Sequence, residues 1–335
     1  MRKVLALVLL LIFSLSLFTA CGGKGKSGGK VVVGASLTSV NAGFWSSNRD
    51  GIFDKAEEHG CEVVLLVSEG DANKQNDQIR SLISQKVDVI LIAVTDGSAN
   101  AAAVREAQAA GIPCVMDVRP LQSDDVEAEM TVLFEDEVIA YEQMIWLAEK
   151  GRKEGVVYNI VLLIGSLGDE GAVLRYNGNK RAVTENPDVL NVVAEIPTDW
   201  KVEAAFAGVQ NSMQAFDDVN CIMCFSDYFI TPIQSALEQI NRWKPIGESD
   251  HVTLLTYDGD SNAMKGLESG YIDCTVIQDC YLMGYKSLDW AVRIANGEKP
   301  PSSKQEYVAG VLATQENFDE IKDGLWGWKV YQAGN

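Results

Sequence analysis

From residue 31 onward, short apolar runs alternate with amphipathic stretches. "VVVGASL" (31–37) is apolar and bounded by lysine and a polar turn, "SSNRDGIFDKAEEHG" is amphipathic and ends on a helix-stopping glycine, and "CEVVLLVS" is apolar again. This predicts strand, helix, strand. "NKQNDQIRSLISQKV" then sets Ile79, Leu82, Ile83 and Val87 at helical spacing, before the strand "DVILIAVT", the helix "SANAAAVREAQAAG" and the strand "IPCVMDV". Strands that are apolar throughout, separated by helices, predict a parallel sheet covered on both faces.

The pattern then begins again. "EVIAYEQMIWLAEKG" reads as helix, "NIVLLIG" as strand, "GAVLRYNGNKRAVTEN" as helix and "LNVVAEIP" as strand. "KVEAAFAGVQNSMQAF", "NCIMCFS", "TPIQSALEQIN" and "HVTLLTYD" continue the alternation. The expected fold is α/β, with two doubly wound parallel-sheet lobes. Open parallel sheets bind ligands beyond the carboxyl ends of their strands, so the expected site is the cleft between the lobes.

The first residues follow a different pattern. Arg2 and Lys3 precede the apolar run Val4–Phe18, and Thr19-Ala20 is a small-residue cleavage context ahead of Cys21. Residues 1–20 read as a lipoprotein signal peptide, Cys21 as the lipid anchor, and residues 21–30 as a flexible tether, with ordinary secretion as the alternative. Gly25-Lys26-Ser27 is not a phosphate loop, because Ala20 stands where its first glycine belongs.

Composition narrows the partners. The 335 residues carry 28 basic and 47 acidic side chains, a net charge of −19, and loss of Arg2 and Lys3 with the signal would make the body still more acidic. Such a surface repels nucleic acid and anionic head groups. Beyond Cys21 lie Cys61, Cys114, Cys221, Cys224, Cys274 and Cys280, several inside apolar runs, readable as bridges or as buried thiols. Only His59 and His251 are available as imidazole ligands, and Cys221-Ile-Met-Cys224 has no second pair, so neither a metal nor a cofactor is expected. No nucleophile elbow surrounds Ser166, and the acidic run Glu135-Asp136-Glu137 reads as a solvated face before it reads as a glycosidase pair.

Four separated motifs carry a resemblance. "DANKQNDQIRSLISQKVDVILIAVTD", "AQAAGIPCV", "GSLGDEGAVLRYNG" and "YDGDSNAMKGLESGYIDCTVIQD" occur in an order and spacing similar to those of the periplasmic sugar-binding proteins of the ribose and glucose/galactose type. The resemblance spans about residues 31–305 and implies the type I periplasmic binding protein fold, with a hinge of three crossings. It implies one lobe from 31–133 plus 279–306 and another from 134–278 plus 307–335.

The resemblance also implies ligand contacts. A sugar offers an apolar ring face and a fringe of hydroxyls, so it calls for aromatic rings and planar polar groups. Matching positions are Phe44 and Trp45 after the first strand, Trp200 from the other lobe, Arg119, Asp169, Arg175, Ser226, Asp258 and Gln278. The family's acidic or amide residue just before Arg119 is replaced by Val118, with Asp117 one place further back as the candidate acceptor. Ser226, Ala93 and Glu137 stand where the family has amides, so neither ribose nor glucose is carried over as the ligand.

The implied function is extracytoplasmic capture of a small sugar, a monosaccharide in class, by a monomeric lipoprotein that passes it to an ABC transporter permease. A ligand sensor of the same fold, a nucleoside or signalling-furanose ligand, and more remotely a glycoside-processing enzyme are the alternatives. The tail "FDEIKDGLWGWKVYQAGN" is expected to pack on the second lobe or to face a partner.

Overall fold

Two six-stranded sheets, each flanked by helices, organise the chain in a computed structural model that describes residues 29–41 and 43–334. Cys21, the expected lipid anchor, and the expected signal peptide of residues 1–20 lie outside the described residues.

The first sheet contains β1 (Val32–Leu37), β2 (Glu62–Val67), β3 (Val89–Ile92), β4 (Cys114–Asp117), β5 (Met130–Phe134) and β11 (Gln305–Val308). Its order is β11-β5-β4-β3-β1-β2, parallel throughout. The second contains β6 (Tyr158–Ile164), β7 (Leu190–Pro197), β8 (Cys221–Cys224), β9 (Thr253–Asp258), β10 (Cys274–Ile277) and β12 (Val311–Thr314). Its order, β12-β10-β9-β8-β6-β7, repeats the first, except that β12 pairs antiparallel with β10 at the edge. The strand order reverses between β1 and β3 in the first sheet and between β6 and β8 in the second, and in open parallel sheets such switch points are where ligands bind beyond the strands' carboxyl ends.

Central strands such as Val89–Ile92 and Cys221–Cys224 are buried at every position. That is why they read as unbroken apolar runs rather than as alternating ones. All six cysteines from Cys61 to Cys280 are buried, so the thiols are packing groups, and burial pushes Cys221, Cys224, Cys274 and Cys280 well above the usual thiol range.

The chain passes between the sheets three times. It leaves β5 for helix α4 (Asp136–Glu154), which packs against α5 (Glu170–Glu185) and β10 in the second lobe. It returns after β10 into α9 (Cys280–Ala295), which packs on α1 (Gly43–His59) and on β3, β4 and β5. The third crossing is the turn between β11 and β12. The tail folds back on the second lobe: Trp326 and Trp328 are buried in its apolar cluster, and Trp326 Nε1 donates to the Gln278 carbonyl at 2.9 Å. No helix among the described residues is long and apolar enough to cross a membrane.

Candidate functional site

The cleft is built from strand ends and the first turns that follow them. After β1 the chain enters α1 within a few residues, so Phe44 and Trp45 fall in the helix's first turn. Their rings meet edge to face at 5.0 Å. Phe44 packs against the apolar cluster of the second lobe, although its helix belongs to the first.

Arg119 follows β4. It donates to the Val94 carbonyl at 3.3 Å, lies 5.4 Å from the Trp45 ring centroid and reaches across the cleft to Asp169, Nη2 to Oδ2, at 2.5 Å. Asp169 is the N-cap of α5, where its Oδ1 accepts from the Gly171 amide at 3.0 Å, so one carboxylate both starts a helix and holds the opposite lobe. Gln122 and Glu170 make a second, longer contact between the same two surfaces at 3.5 Å.

Arg175, two turns into α5, is the centre of the second lobe's half. Its Nε donates to Asp136 at 2.7 Å, its Nη1 to the Phe225 carbonyl at 2.5 Å and its Nη2 to Gln278 Oε1 at 2.9 Å. Asp258 lies 3.6 Å from Nη1, and the guanidinium stacks 3.8 Å from the Tyr257 ring centroid. Ser226 Oγ donates to Asp258 at 2.6 Å. Arg175, Ser226, Asp258 and Gln278 therefore form one connected network, in which five-donor, planar guanidinium geometry is used from several sides. Burial pushes Asp258 up to about 7, with the Arg175 charge and the Ser226 hydrogen bond pulling the other way.

Trp200 sits in the loop after β7 with φ +58°, a backbone that a bulky residue adopts only under constraint. Its ring stacks on Phe229 at 6.0 Å between centroids and 14° between planes, and a Cβ at Gly165 would lie 2.2 Å from the indole. Glycine at the end of β6 is what lets the indole lie there. The Trp200 Nε1–H is buried without an acceptor in the protein, a donor that a hydroxyl could use.

Asp117 is placed elsewhere. It is fully buried at the end of β4 and accepts from Ser287 Oγ of α9 at 2.7 Å, beneath the helices and apart from the Arg175 network.

Several site residues escaped the reading of the sequence. Asp136 is the main counter-charge of Arg175 and also accepts from the Tyr257 hydroxyl at 2.9 Å. Its only signal was the acidic run 135–137. Phe229 backs Trp200, and a hydroxyl chain, Ser68 to Thr95 at 2.8 Å and Thr95 to Thr38 at 3.1 Å, spans the ends of β2, β3 and β1. The signal for that chain was present: each hydroxyl is the first or second polar residue after an apolar run. Among the described residues, no group of three or more metal-ligating side chains is arranged to hold an ion.

The arrangement is one of planar polar groups and rings facing a cleft closed by cross-lobe contacts. Comparison with known proteins fits that geometry. The chain is 28% identical over 309 residues to a ribose import binding protein of Bacillus subtilis (strain 168), covering 89% of this chain and 95% of the relative. It is 25% identical over 242 residues to a D-apiose import binding protein of Actinobacillus succinogenes, covering 71% of this chain and 73% of the relative. An ABC transporter solute-binding protein of Bacillus halodurans C-125, solved with bound myo-inositol, superposes with a TM-score of 0.78 at 25% identity, over 88% of this chain and 97% of that one. The model of the periplasmic binding protein domain matches residues 33–299, and the chain belongs to that family.

Proposed function

We propose that the protein captures a small sugar or sugar-like polyol between its lobes by hinge closure and presents it to an ABC importer. The observation that carries this reading is the convergence of Trp45 and Arg119 from one lobe on Asp169 of the other, beside the Arg175–Asp258–Gln278 network. Rings cover the apolar face of a sugar, and guanidinium, carboxylate and amide groups satisfy its hydroxyls. Relatives that import ribose and apiose, and the neighbour that holds myo-inositol, support a hydroxylated ligand. Ser226, Ala93 and Glu137 in place of amides argue for a specificity of the chain's own.

The hinge lies at the three crossings, with 31–133 plus 279–306 moving against 134–278 plus 307–335. A ligand touching both lobes shifts the population toward the closed form. The reading is of binding, not catalysis, by a monomer held outside the cytoplasm through lipid on Cys21, which raises its effective concentration near the permease.

A thermal-shift screen of the purified chain against pentoses, hexoses, cyclitols, amino acids and nucleosides tests this. A ligand at 100 times its dissociation constant stabilises by about 2.7 kcal/mol, a shift of a few degrees. A sugar or cyclitol hit is the expected result. A nucleoside hit with no sugar response would keep the fold and overturn the ligand class.

A further inference from the structure

Between Asp117 and Arg119 the backbone makes an unusual turn. The Arg119 amide donates to the Asp117 carbonyl at 2.7 Å, closing a three-residue γ-turn centred on Val118 at φ +66°. A β-branched residue in this region is strained, and it persists only where the surroundings over-determine it.

Those surroundings are specific. The Val118 amide donates to the Val132 carbonyl at 3.0 Å, which fixes the turn to β5. The Asp117 side chain is fully buried, and its Oδ1 accepts from Ser287 of α9 at 2.7 Å, with Asn48 of α1 beside it. Asn48 itself donates to the Cys280 carbonyl at 3.2 Å, at the start of α9. The two helices cross at glycine contacts: a Cβ at Gly51 would lie 2.1 Å from the Tyr281 carbonyl oxygen, and one at Gly284 2.2 Å from that of Asn48. Neither helix can shift without disturbing the other. One of them carries Phe44 and Trp45 in its first turn, and the other begins at the second crossing.

We propose that Asp117 is a positioning residue: tied to Ser287, it fixes the γ-turn at Val118 and so aims the Arg119 guanidinium past Trp45 and across the cleft. Asp117 is thereby joined to the hinge-proximal helix, to the aromatic-bearing helix and to the cleft arginine at once. The inference rests on the sugar-capture reading only for what Arg119 does once aimed.

Arginine Nε–H resonances of the purified ¹⁵N-labelled chain test it without any ligand. Arg119 and Arg175 are assigned by R119K and R175K, and both signals are followed in S287A and D117N. S287A removes the donor and is expected to displace the Arg119 signal by more than its linewidth while leaving that of Arg175 in place. D117N keeps an oxygen that accepts from Ser287 and is expected to leave both signals in place. An unmoved Arg119 signal in S287A, a displaced one in D117N, or joint movement of both arginines, which marks general loosening of the fold, overturns the proposal. The expected pattern in a protein that binds no sugar would keep the positioning role and remove the capture reading.

Discussion

Arg119 and Asp169 meet across the cleft at 2.5 Å although they belong to different lobes, and both are largely shielded from solvent, with side chains 21% and 9% exposed. A charge-assisted hydrogen bond in such a setting contributes about 1.5–3 kcal/mol. On the capture reading proposed above, it acts as a latch that favours closure before any ligand arrives.

Replacing Asp169 by asparagine keeps the helix cap, because asparagine caps as well as aspartate, but removes the charge. The closed-to-open ratio of the unliganded protein is expected to fall about tenfold or more. Small-angle scattering checks this as an increased radius of gyration. An unchanged radius would show that the pair does not govern closure.

Arg175 compensates Asp136 and Asp258 inside the second lobe. Replacing it by methionine leaves buried carboxylates unpaired and is expected to cost about 3–5 kcal/mol in urea unfolding. D136N in the R175M background should restore part of the loss, since one of the stranded charges is then gone. A loss below about 1 kcal/mol, or no rescue, contradicts the network.

Burial pushes Asp117 up to about 6, opposed by its hydrogen bond from Ser287, and no charged neighbour contributes to the shift. The folded state thus holds this proton more tightly than the unfolded chain, whose aspartate titrates near 3.9. The contribution is fully present below about pH 4 and is lost as pH rises through about 6. The stability of the wild type relative to D117N should therefore fall by about 2 kcal/mol between pH 4 and pH 7. Parallel pH profiles of the two proteins in chemical denaturation would contradict the burial argument.

Much of this architecture was legible in the chain, and the parts that were not have identifiable causes. The central strands announce themselves because burial on both faces demands unbroken apolar runs, as in "DVILIAVT". The edge strands Gln305–Val308 and Val311–Thr314 do not: they are four residues long, half exposed and separated by only two residues. Met130–Phe134 was also passed over, being a short apolar run lodged between acidic residues. At the site, the resemblance to the sugar-binding family pointed to Arg119, Asp169, Arg175, Ser226, Asp258 and Gln278 as candidates, but it could not show that Asp136 is buried or that Asp117 turns inward. The displacement of one residue before Arg119 was visible as Val118. Its consequence, a left-handed turn that sends Asp117 beneath the helices, depends on α9, which arrives about 160 residues later.

Calorimetric titration of the sugars and cyclitols into the wild-type chain and into W45A and W200A tests the central claim most directly. The account predicts saturable binding of at least one of them, weakened in each variant by an amount on the order of 1–3 kcal/mol with the fold intact. Binding of equal strength in all three proteins, or no heat from any sugar or cyclitol in the wild type, would contradict capture between the two lobes.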